Sequence, residues 1–523
     1  MKGQSLKKSL YWADQIARRV IGEKGNRKKY VCAAGITPSG TIHIGNFREI
    51  ITVELVVRAL RALGKQVRFI YSWDDYDRLR KVPPNVPKAE SFAKYLLKPI
   101  TKVPDPWGCH DSWARHFESE VEGILPVLGI RPEFIRQSKE YMKCRYAKEI
   151  KIALESTEAI KKILNKYRKE PLPKDWLPIR VYCEKCGFED TRVAGWDREY
   201  TVMYACRCGH QGSCDFRKCG NVKLPWRVDW PMRWHFEKVD FEPAGKEHST
   251  PGGSRTVGVE IQKAVYKTEP PVYQMYDYIT FGSKGKMSSS KGNVLSISDA
   301  AGIYIPEVMV FLFAGTKPIK EFAIPLDEEV FKVYEDFYKT ERIYFGKEKV
   351  PPKLKDQASR IYEMSCPGTP PRTIPLQPAF RHAVTLINIY RDVDKALKSI
   401  GASDVKRYRS VLERAKFWLE KYAPDRWKFN LQENADPKVR EGLTLKQRQA
   451  IGALAEKLEG KKMKEEELFN LFYSICKDVG LNAKEFFQKV YMVLIDKEQG
   501  PRLAPFILAV GQGKIAKLLK QAS

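Results

Sequence analysis

Apolar residues recur at steps of three and four between residues 47 and 63, which places them on one face of a helix. Gly64 follows this run, in the position of a glycine that ends a helix. The short apolar segment 29–34 before it is typical of a buried strand, and a second such strand covers residues 67–73. A strand, a turn, a helix and a second strand predict a βαβ unit in a parallel sheet.

The turn between the first strand and the helix is rich in glycine and small polar residues. Ligands of a βαβ unit bind where the strand leads into the helix, and the N–H groups of the helix end suit phosphate. Gly40 and Gly45 leave the backbone bare, and His43 adds a side-chain donor. The residues expected to hold phosphate are Thr37, Pro38, Ser39, Gly40, His43, Gly45 and Asn46. Alone, the turn is equally compatible with a helix cap that contains an incidental histidine.

The pattern changes after residue 80. Proline-rich loops at 82–87 and 104–108 are followed by helical periodicity that continues to residue 166. This indicates an insertion between two halves of a nucleotide-binding domain. Helical patterns dominate the last third of the chain, and no convincing strand follows Leu326.

The chain is strongly basic, with 92 Lys and Arg against 64 Asp and Glu and a formal charge of +28 over 523 residues. This balance favours a polyanionic partner. Nucleic acid is favoured over membrane because no apolar stretch approaches the roughly 20 residues that a membrane span requires. The N-terminus lacks the apolar core of a signal peptide, so a cytoplasmic protein is expected.

Six of the 11 cysteines lie between Cys183 and Cys219, and in a reducing compartment such a group indicates metal before disulfides. Two short turns about twenty residues apart carry the expected ligands of a structural zinc ribbon: Cys183, Cys186, Cys206 and Cys208. Cys214 and Cys219 complicate the assignment, because six sulfurs are too many for a four-coordinate ion. Either one could replace Cys206 or Cys208, or the two could pair, and His210 is a reserve ligand.

A second candidate metal site combines four residues of the types that zinc accepts: Asp105, Cys109, His110 and His116. The alternative is a helix start with scattered polar residues. Neither cluster has an obvious open position next to the phosphate-binding turn, so both are expected to brace the insertion.

Residues 223–234 place Trp226, Trp230 and Trp234 around one carboxylate, Asp229. The functional interpretation is a pocket in which an indole face holds an aliphatic stem or a cation and the carboxylate answers a positive charge. The alternative is a tryptophan-rich core in which Asp229 pairs with an arginine.

A second segment with distinctive chemistry, residues 284–292, combines lysines with glycine and serine and follows an apolar run at 276–281 that is a candidate strand. Lysines on such a loop can close on charge as it develops in a phosphoryl transfer. The residues expected to meet the phosphates here are Lys286, Met287, Ser288, Ser289, Ser290 and Lys291. Alone, this segment is also compatible with a solvated basic loop.

Together and in this order, the two segments resemble the HIGH and KMSKS signatures of the class I aminoacyl-tRNA synthetases. Their details, and nearly the whole chain, are similar to the class I lysyl-tRNA synthetases of archaeal type. One departure concerns the second signature: Ser289 stands where KMSKS has its second lysine, and the next lysine is Lys291. Either Lys291 takes that role or Lys286 carries most of it.

The resemblance implies an α/β fold: a Rossmann-like parallel-sheet catalytic domain, split by a zinc-containing insertion and followed by an all-α C-terminal domain. The segments that we expect are 1–80 for the first catalytic half, 81–222 for the insertion, 223–283 for the second catalytic half, 284–340 for the KMSKS loop and stem-contact region, and 341–523 for the anticodon-binding domain. Aromatic and basic side chains such as Arg407 and Trp418 suit unstacked anticodon bases, although no individual contact is assigned.

The implied reaction is ATP-dependent ligation of L-lysine to tRNA(Lys) through a lysyl-adenylate, with Mg²⁺ beside the pyrophosphate and Zn²⁺ in the insertion. His43, Lys286 and Lys291 are the expected catalytic residues, and the phosphate-binding residues above would hold ATP. The residues expected to bind lysine are Gly35, Thr37, Trp226, Asp229, Trp230, His248 and Tyr276. Two alternatives stay open: a class I synthetase for another amino acid such as arginine, and a zinc-containing RNA-binding protein whose nucleotide fold does not catalyse.

Overall fold

A computed structural model of the chain describes residues 9–280, 294–401, 405–460 and 462–523. The chain divides into two compact units. The first comprises Met1–Ala301, Pro306–Ile324 and Lys349–Pro370. The second comprises Gly302–Ile305, Pro325–Glu348 and Pro371–Ser523.

The predicted βαβ unit is confirmed. After a first helix, its elements follow in the expected order: α1 (Trp12–Lys24), β1 (Lys29–Ile36), α2 (Ile44–Ala62) and β2 (Gln66–Trp73). The two strands pair in parallel, with Gly35 opposite Ser72. Gly64 follows the last turn of α2 with φ of +77°, the left-handed conformation that ends helices. α2 is buried around most of its circumference, because it packs on β1 and β2 and also against α1 and the later helix Pro306–Ala314.

Further strands extend the parallel sheet on both sides. β3 (Glu133–Arg136) pairs with β2. On the far side of β1, Phe241 forms parallel bridges with Cys32 and Val272. The carboxyl ends of these strands therefore share one edge with the N-terminus of α2, the place where parallel sheets bind ligands.

The expected insertion contains helices and a separate antiparallel sheet. Its helices are α3 (Trp113–Ile124), α4 (Gln137–Met142), α5 (Ala147–Glu155) and α6 (Thr157–Asn165). Its strands are β4 (Arg180–Val181), β5 (Thr191–Trp196), β6 (Thr201–Cys206), β7 (Gln211–Asp215) and β8 (Val222–Lys223). β5, β6 and β7 form the antiparallel sheet, and β4 pairs with β8.

The chain then returns to the parallel sheet. The elements from here to the end of the first unit are α7 (Trp226–Glu237), β9 (Ala244–Gly245), α8 (Ser254–Ile261), β10 (Met275–Tyr276), β11 (Ile279–Thr280), α9 (Ile297–Ile303), α10 (Pro306–Ala314), β12 (Phe322–Ala323) and, after the first helix of the second unit, α12 (Pro352–Ser365). The expectation of one strand over residues 276–281 is wrong, because the described part of this run forms two short strands, β10 and β11. Asp277 interrupts the run, because its carboxylate accepts the N–H of Tyr278 and its own N–H donates to the carbonyl of Pro318.

The second unit is helical throughout its described part, as the apolar periodicity predicts. Its main helices are α11 (Glu329–Tyr344), α13 (Phe380–Tyr390), α14 (Val393–Ile400), α15 (Val405–Lys421), α16 (Pro437–Glu441), α17 (Leu445–Gly460), α18 (Glu465–Val479), α19 (Ala483–Ile495), α20 (Leu503–Val510) and α21 (Gln512–Ala522). The Trp418 indole packs against Phe331 and Phe380 and donates to the carbonyl of Leu326.

Within the ranges that the structure describes, no single helix has the length and apolarity needed to cross a bilayer. The bent pair α9 and α10, with 111° between the two helices, passes the same test of length and composition.

The turn after α3 provides a test of the fold. Gly129 has φ of +73°, and a Cβ atom there would lie 1.9 Å from the carbonyl oxygen of Pro367. We expect Gly129→Ala to lower the free energy of unfolding by about 2 kcal/mol or more. The matched control is Gly123→Ala at an exposed position of α3, where a Cβ meets nothing within 4 Å. It should stabilise the protein by up to about 1 kcal/mol. Scanning calorimetry measures both, and equal shifts in the two variants would contradict the packing described.

Candidate active site

The first signature forms the cap of α2. The Nδ1 atom of His43 accepts the N–H of Asn46 at 3.3 Å, and the Asn46 side chain accepts the N–H of His43 at 3.1 Å. This reciprocal capping holds the imidazole over the helix end. Because Nδ1 is the acceptor, the proton of the neutral ring lies on Nε2, as a donor to an anion would need.

The residues before His43 form an ordered turn. The Thr37 hydroxyl donates to Asp77 at 3.1 Å, and the Lys223 ammonium pairs with the same carboxylate. Pro38 is buried, Ser39 is exposed, and a Cβ atom at Gly40 would lie 3.1 Å from Pro83. A larger residue at position 40 would therefore push the turn away from the loop that it packs against.

The second signature, Lys286 and Met287 through Lys291, lies outside the described residues. The segments on either side of it both reach α2. After it, Leu295 accepts the N–H of Ile44 at 2.9 Å, and Ser296 bridges to His43. Before it, Tyr276 donates to Glu49 on α2 at 2.6 Å.

A cavity opens beside this helix at the carboxyl ends of β1 and β2, lined there by Gly35 and Ser72. One wall is a row of indoles from α7, Trp226, Trp230 and Trp234, which face the cavity because they are spaced by four residues. The Trp226 and Trp230 rings stack with centroids 5.0 Å apart. His248 completes this wall with its ring edge-on to Trp230. The arrangement suits a long apolar stem or a cation.

Three carboxylates line the same cavity, Glu49, Glu237 and Glu242, and sequence reasoning missed all three. Glu237 is paired with Arg68 at 2.6 Å, which leaves the other two without an ion pair among the described residues. Glu242 is buried and accepts the indole N–H groups of Trp230 and Trp234. Burial raises the pKa of Glu242. Glu49 accepts the N–H of Gly35 at 3.0 Å as well as the Tyr276 hydroxyl. Burial raises the pKa of Glu49 to about 8, although both hydrogen bonds oppose the shift.

Asp229 does not line the cavity. It follows the helix about 100° away from Trp230, so it faces the protein interior. Its side chain is completely buried, accepts the Tyr141 hydroxyl and pairs with Arg233 at 3.3 Å. The structure thus has the arginine-paired aspartate that the sequence left as the alternative. The carboxylate surrounded by indoles is Glu242.

Arg233 also pairs with Asp74 at 2.6 Å and donates to Ser72, so it joins α7 to the end of β2. With Lys223 and Asp77 it forms a buried charged cluster at one side of the cavity, which Arg233 itself lines. Such a cluster fixes the surrounding backbone, because removing any member would leave a buried charge unpaired. Tyr276 and Thr37 contact the cavity through Glu49 and this cluster, and do not line it.

The first cysteine group comes together as a compact set. Sulfur atoms of Cys183 and Cys208 are 3.8 Å apart, and those of Cys186 and Cys206 are 3.6 Å apart. Tetrahedral zinc with bonds of 2.3 Å would hold its sulfurs about 3.8 Å apart. The donor set therefore fits such an ion. Cys214 and Cys219 form a disulfide with each other outside this group.

His210 is not in the sulfur group either, since its Nε2 atom contacts Glu184 at 2.7 Å. The second group, Asp105, Cys109, His110 and His116, also gathers its donor atoms within 4.8 Å of one another. The Nε2 atom of His110 contacts the Ser119 hydroxyl at 2.8 Å, which leaves Nδ1 to face the group. A hydrogen bond on the outer nitrogen is the usual support of a metal-binding histidine.

Comparison with known proteins adds an independent line of observation. The model of the family described as tRNA synthetases class I (K) matches residues 10–368. The lysine–tRNA ligase of Borreliella burgdorferi is 44% identical over 518 residues, which covers 98% of this chain and 99% of the relative. The lysine–tRNA ligases of Treponema pallidum and Thermococcus kodakarensis are each 42% identical, with 98% of this chain covered and 98% and 99% of the relatives.

The raised pKa of Glu49 predicts a pH effect on stability. Its unfolded-state pKa is about 4.3, so between this value and about 8 the folded form holds a proton that the unfolded form lacks. The contribution of Glu49 to stability is therefore present at low pH and is lost as the pH rises to 8. Glu49→Gln should remove this loss, so its advantage in melting temperature over the unchanged protein should grow from pH 5 to about pH 8.

The exposed Glu23→Gln on α1 is the control and should follow the unchanged protein at every pH. A difference between Glu49→Gln and the unchanged protein that does not vary with pH would show that Glu49 is charged in the empty site.

Proposed function

The chain belongs to the class I tRNA synthetases (K), and we propose that its indole-lined cavity binds the amino acid that it joins to tRNA. The protein is a lysine–tRNA ligase: it consumes ATP to attach L-lysine to tRNA(Lys). We further propose which residues contact these substrates, that the chain binds metal ions, and that it works in the cytoplasm.

One observation carries the assignment of the lysine pocket: Glu49 and Glu242 line an aromatic cavity and neither is held in an ion pair with a described residue, because Arg233, which lines the same cavity, pairs with Asp74 and Asp229 instead. Among the described residues, no lysine or arginine forms an ion pair with either one. A buried carboxylate without a counter-charge is costly, and a ligand that brings an ammonium group relieves that cost. Lysine brings two such groups, joined by an aliphatic stem that fits against indoles. Glutamate would add a further side-chain carboxylate to this acidic cavity and is disfavoured.

In this proposal Trp226 and Trp230 hold the stem of lysine, and Glu49 and Glu242 take its two ammonium groups. Gly35 supplies backbone close to the α-amino end. The other residues expected from the sequence act at one remove: Thr37 through Asp77, Tyr276 through Glu49, and Asp229 through Arg233. His248 closes the wall beside Trp230.

The reaction needs no protein nucleophile. The carboxylate of lysine is already an anion at neutral pH, attacks the α-phosphorus of ATP and displaces pyrophosphate in line, which leaves lysyl-adenylate. The protein supplies position and charge. His43 and the N-terminus of α2 act on the phosphates from one side, and Lys286 and Lys291 are proposed to act from the other. Mg²⁺ would neutralise the pyrophosphate. The 2′-hydroxyl of the terminal adenosine of tRNA then attacks the acyl carbon of the adenylate and loses its proton, an ester forms, and AMP leaves as the acyl–phosphate bond breaks.

We assign zinc to both clusters of the insertion. Cys183, Cys186, Cys206 and Cys208 would hold one ion, and Asp105, Cys109, His110 and His116 a second. When bound, zinc would cross-link the loops that carry these ligands. The five-segment division of the chain, with the last segment reading the anticodon, is part of the same proposal.

ATP–pyrophosphate exchange tests the function. The purified chain is incubated with each of the twenty amino acids in turn, with and without tRNA. We expect exchange with lysine and no other amino acid. Exchange with arginine instead would support the alternative synthetase. Absence of exchange under all conditions, with retained RNA binding, would support the non-catalytic alternative.

Zinc content tests the metal sites. Metal analysis of the purified chain should give about two zinc ions, and Cys186→Ser and His116→Asn should each remove about one. Cys144→Ser is the matched control, because Cys144 lies in the same insertion outside both clusters and should leave the zinc content unchanged. Full zinc in Cys186→Ser would contradict the four-sulfur site.

A further inference from the structure

Arg48 lies on α2 one residue before Glu49, and its side chain is buried on another side of the helix. Only 2% of its surface is exposed. Burial lowers its pKa to about 10, so the guanidinium stays charged at neutral pH. A buried charge is stable only when strong hydrogen-bond partners replace its water, and the partners of Arg48 are backbone carbonyls.

The guanidinium donates to the carbonyl of Tyr278 at 3.1 Å. Its other terminal nitrogen, Nη2, shares its two hydrogens among the carbonyls of Lys317 at 3.1 Å, Pro318 at 2.8 Å and Lys320 at 2.5 Å. Carbonyls, unlike carboxylates on side chains, report the position of the main chain itself. One side chain of α2 therefore holds two segments of backbone that are far apart in sequence.

Both segments lead to the pair of short parallel strands β11 and β12. Tyr278 immediately precedes β11, and Lys320 is separated from the start of β12 by one residue, Glu321. The guanidinium also lies 5.0 Å from the ring centroid of Phe322 on β12. Arg48 thus fixes the start of the strand pair against α2.

β11 is the last described element before the second signature. Arg48 therefore fixes the backbone that leads into this signature. The chain on its way out is held by the same helix, through the bond from Ile44 to Leu295. The two anchors lie within the first two turns of α2, which His43 caps.

We propose that Arg48 is a positioning residue for lysyl-adenylate formation: it sets where the backbone enters the second signature relative to His43. This inference rests on the proposed function. Arg48 touches no substrate and acts through the carbonyl of Tyr278. Its five N–H donors in one plane are what several carbonyls at fixed angles require, and a lysine offers only a point charge.

The chain provides a matched control on the same helix. Arg58 also clamps backbone, donating to the carbonyls of Met364 at 2.7 Å, Cys366 at 2.8 Å and Leu128 at 3.1 Å. These segments do not flank either signature. Arg58→Lys should therefore cost stability as Arg48→Lys does, without an effect on the reaction rate of the folded enzyme.

The experiment compares Arg48→Lys, Arg58→Lys and the unchanged chain by melting temperature and by lysine-dependent ATP–pyrophosphate exchange in the presence of tRNA. For Arg48→Lys we expect kcat per folded molecule to fall about tenfold or more, because a small misplacement of reacting groups has effects of this size. The KM for lysine should change by no more than about twofold, because Arg48 is expected to affect the placement of groups in the transition state and not the binding of lysine. Arg58→Lys should change neither constant.

Equal kcat values in Arg48→Lys and Arg58→Lys would overturn the proposal, and so would a raised KM for lysine with unchanged kcat. If Arg48→Lys does not fold, Phe322→Leu takes its place, since it removes the ring beside the guanidinium and keeps the arginine. It should lower kcat about threefold at constant KM for lysine, and an unchanged kcat would contradict the proposal. Absence of exchange in the unchanged chain would instead refute the proposed function.

Discussion

The N–H groups at the start of a helix need partners, and at the start of α2 one partner is the capping residue itself while another comes from a distant part of the chain. Leu295 takes the N–H of Ile44, and His43 takes that of Asn46. Each of these bonds satisfies a buried donor, so the helix end cannot form properly until the segments around it are in place. The same requirement makes the helix end a suitable place for a polyphosphate, which brings further acceptors.

Local patterns were enough to predict the elements around this helix. The periodicity of residues 47–63, the two apolar strands and the glycine at position 64 all have counterparts in α2, β1 and β2. The acids of the cavity could not be predicted in the same way. Asp229 is flanked by three tryptophans in the sequence, but its position on the helix directs it to the interior, where it pairs with Arg233. The carboxylate that contacts the indoles is Glu242, from a later segment. The only sequence feature that could have indicated Glu49 is an acidic residue in the second turn of a largely apolar helix. Its position in the cavity depends on a hydrogen bond from Tyr276, which lies far along the chain.

Composition was a poorer guide to individual contacts in the helical second unit. Arg407 and Trp418 have the chemistry of an RNA-binding surface, but Arg407 pairs with buried Glu341, and Trp418 is completely buried. An aromatic residue on a helix, or a basic residue paired with a buried acid, can face inward, and only packing decides between the core and a binding surface. The cysteines behaved differently: closely spaced ligand pairs gave the four-sulfur group directly, and the disulfide of Cys214 and Cys219 settled which sulfurs remain outside it.

The raised pKa of Glu49 has a consequence for how the enzyme tells amino acids apart. At neutral pH most empty molecules carry a proton on Glu49, so this side chain of the pocket holds no charge before lysine binds. In the proposed binding mode an ammonium group of lysine displaces that proton, which at pH 7 costs about a tenfold loss in affinity. An uncharged side chain of similar length has nothing with which to drive the exchange and meets a neutral acid. Capture of lysine is thereby linked to the release of hydrogen ions, and lysine uptake should become more favourable as the medium turns mildly alkaline.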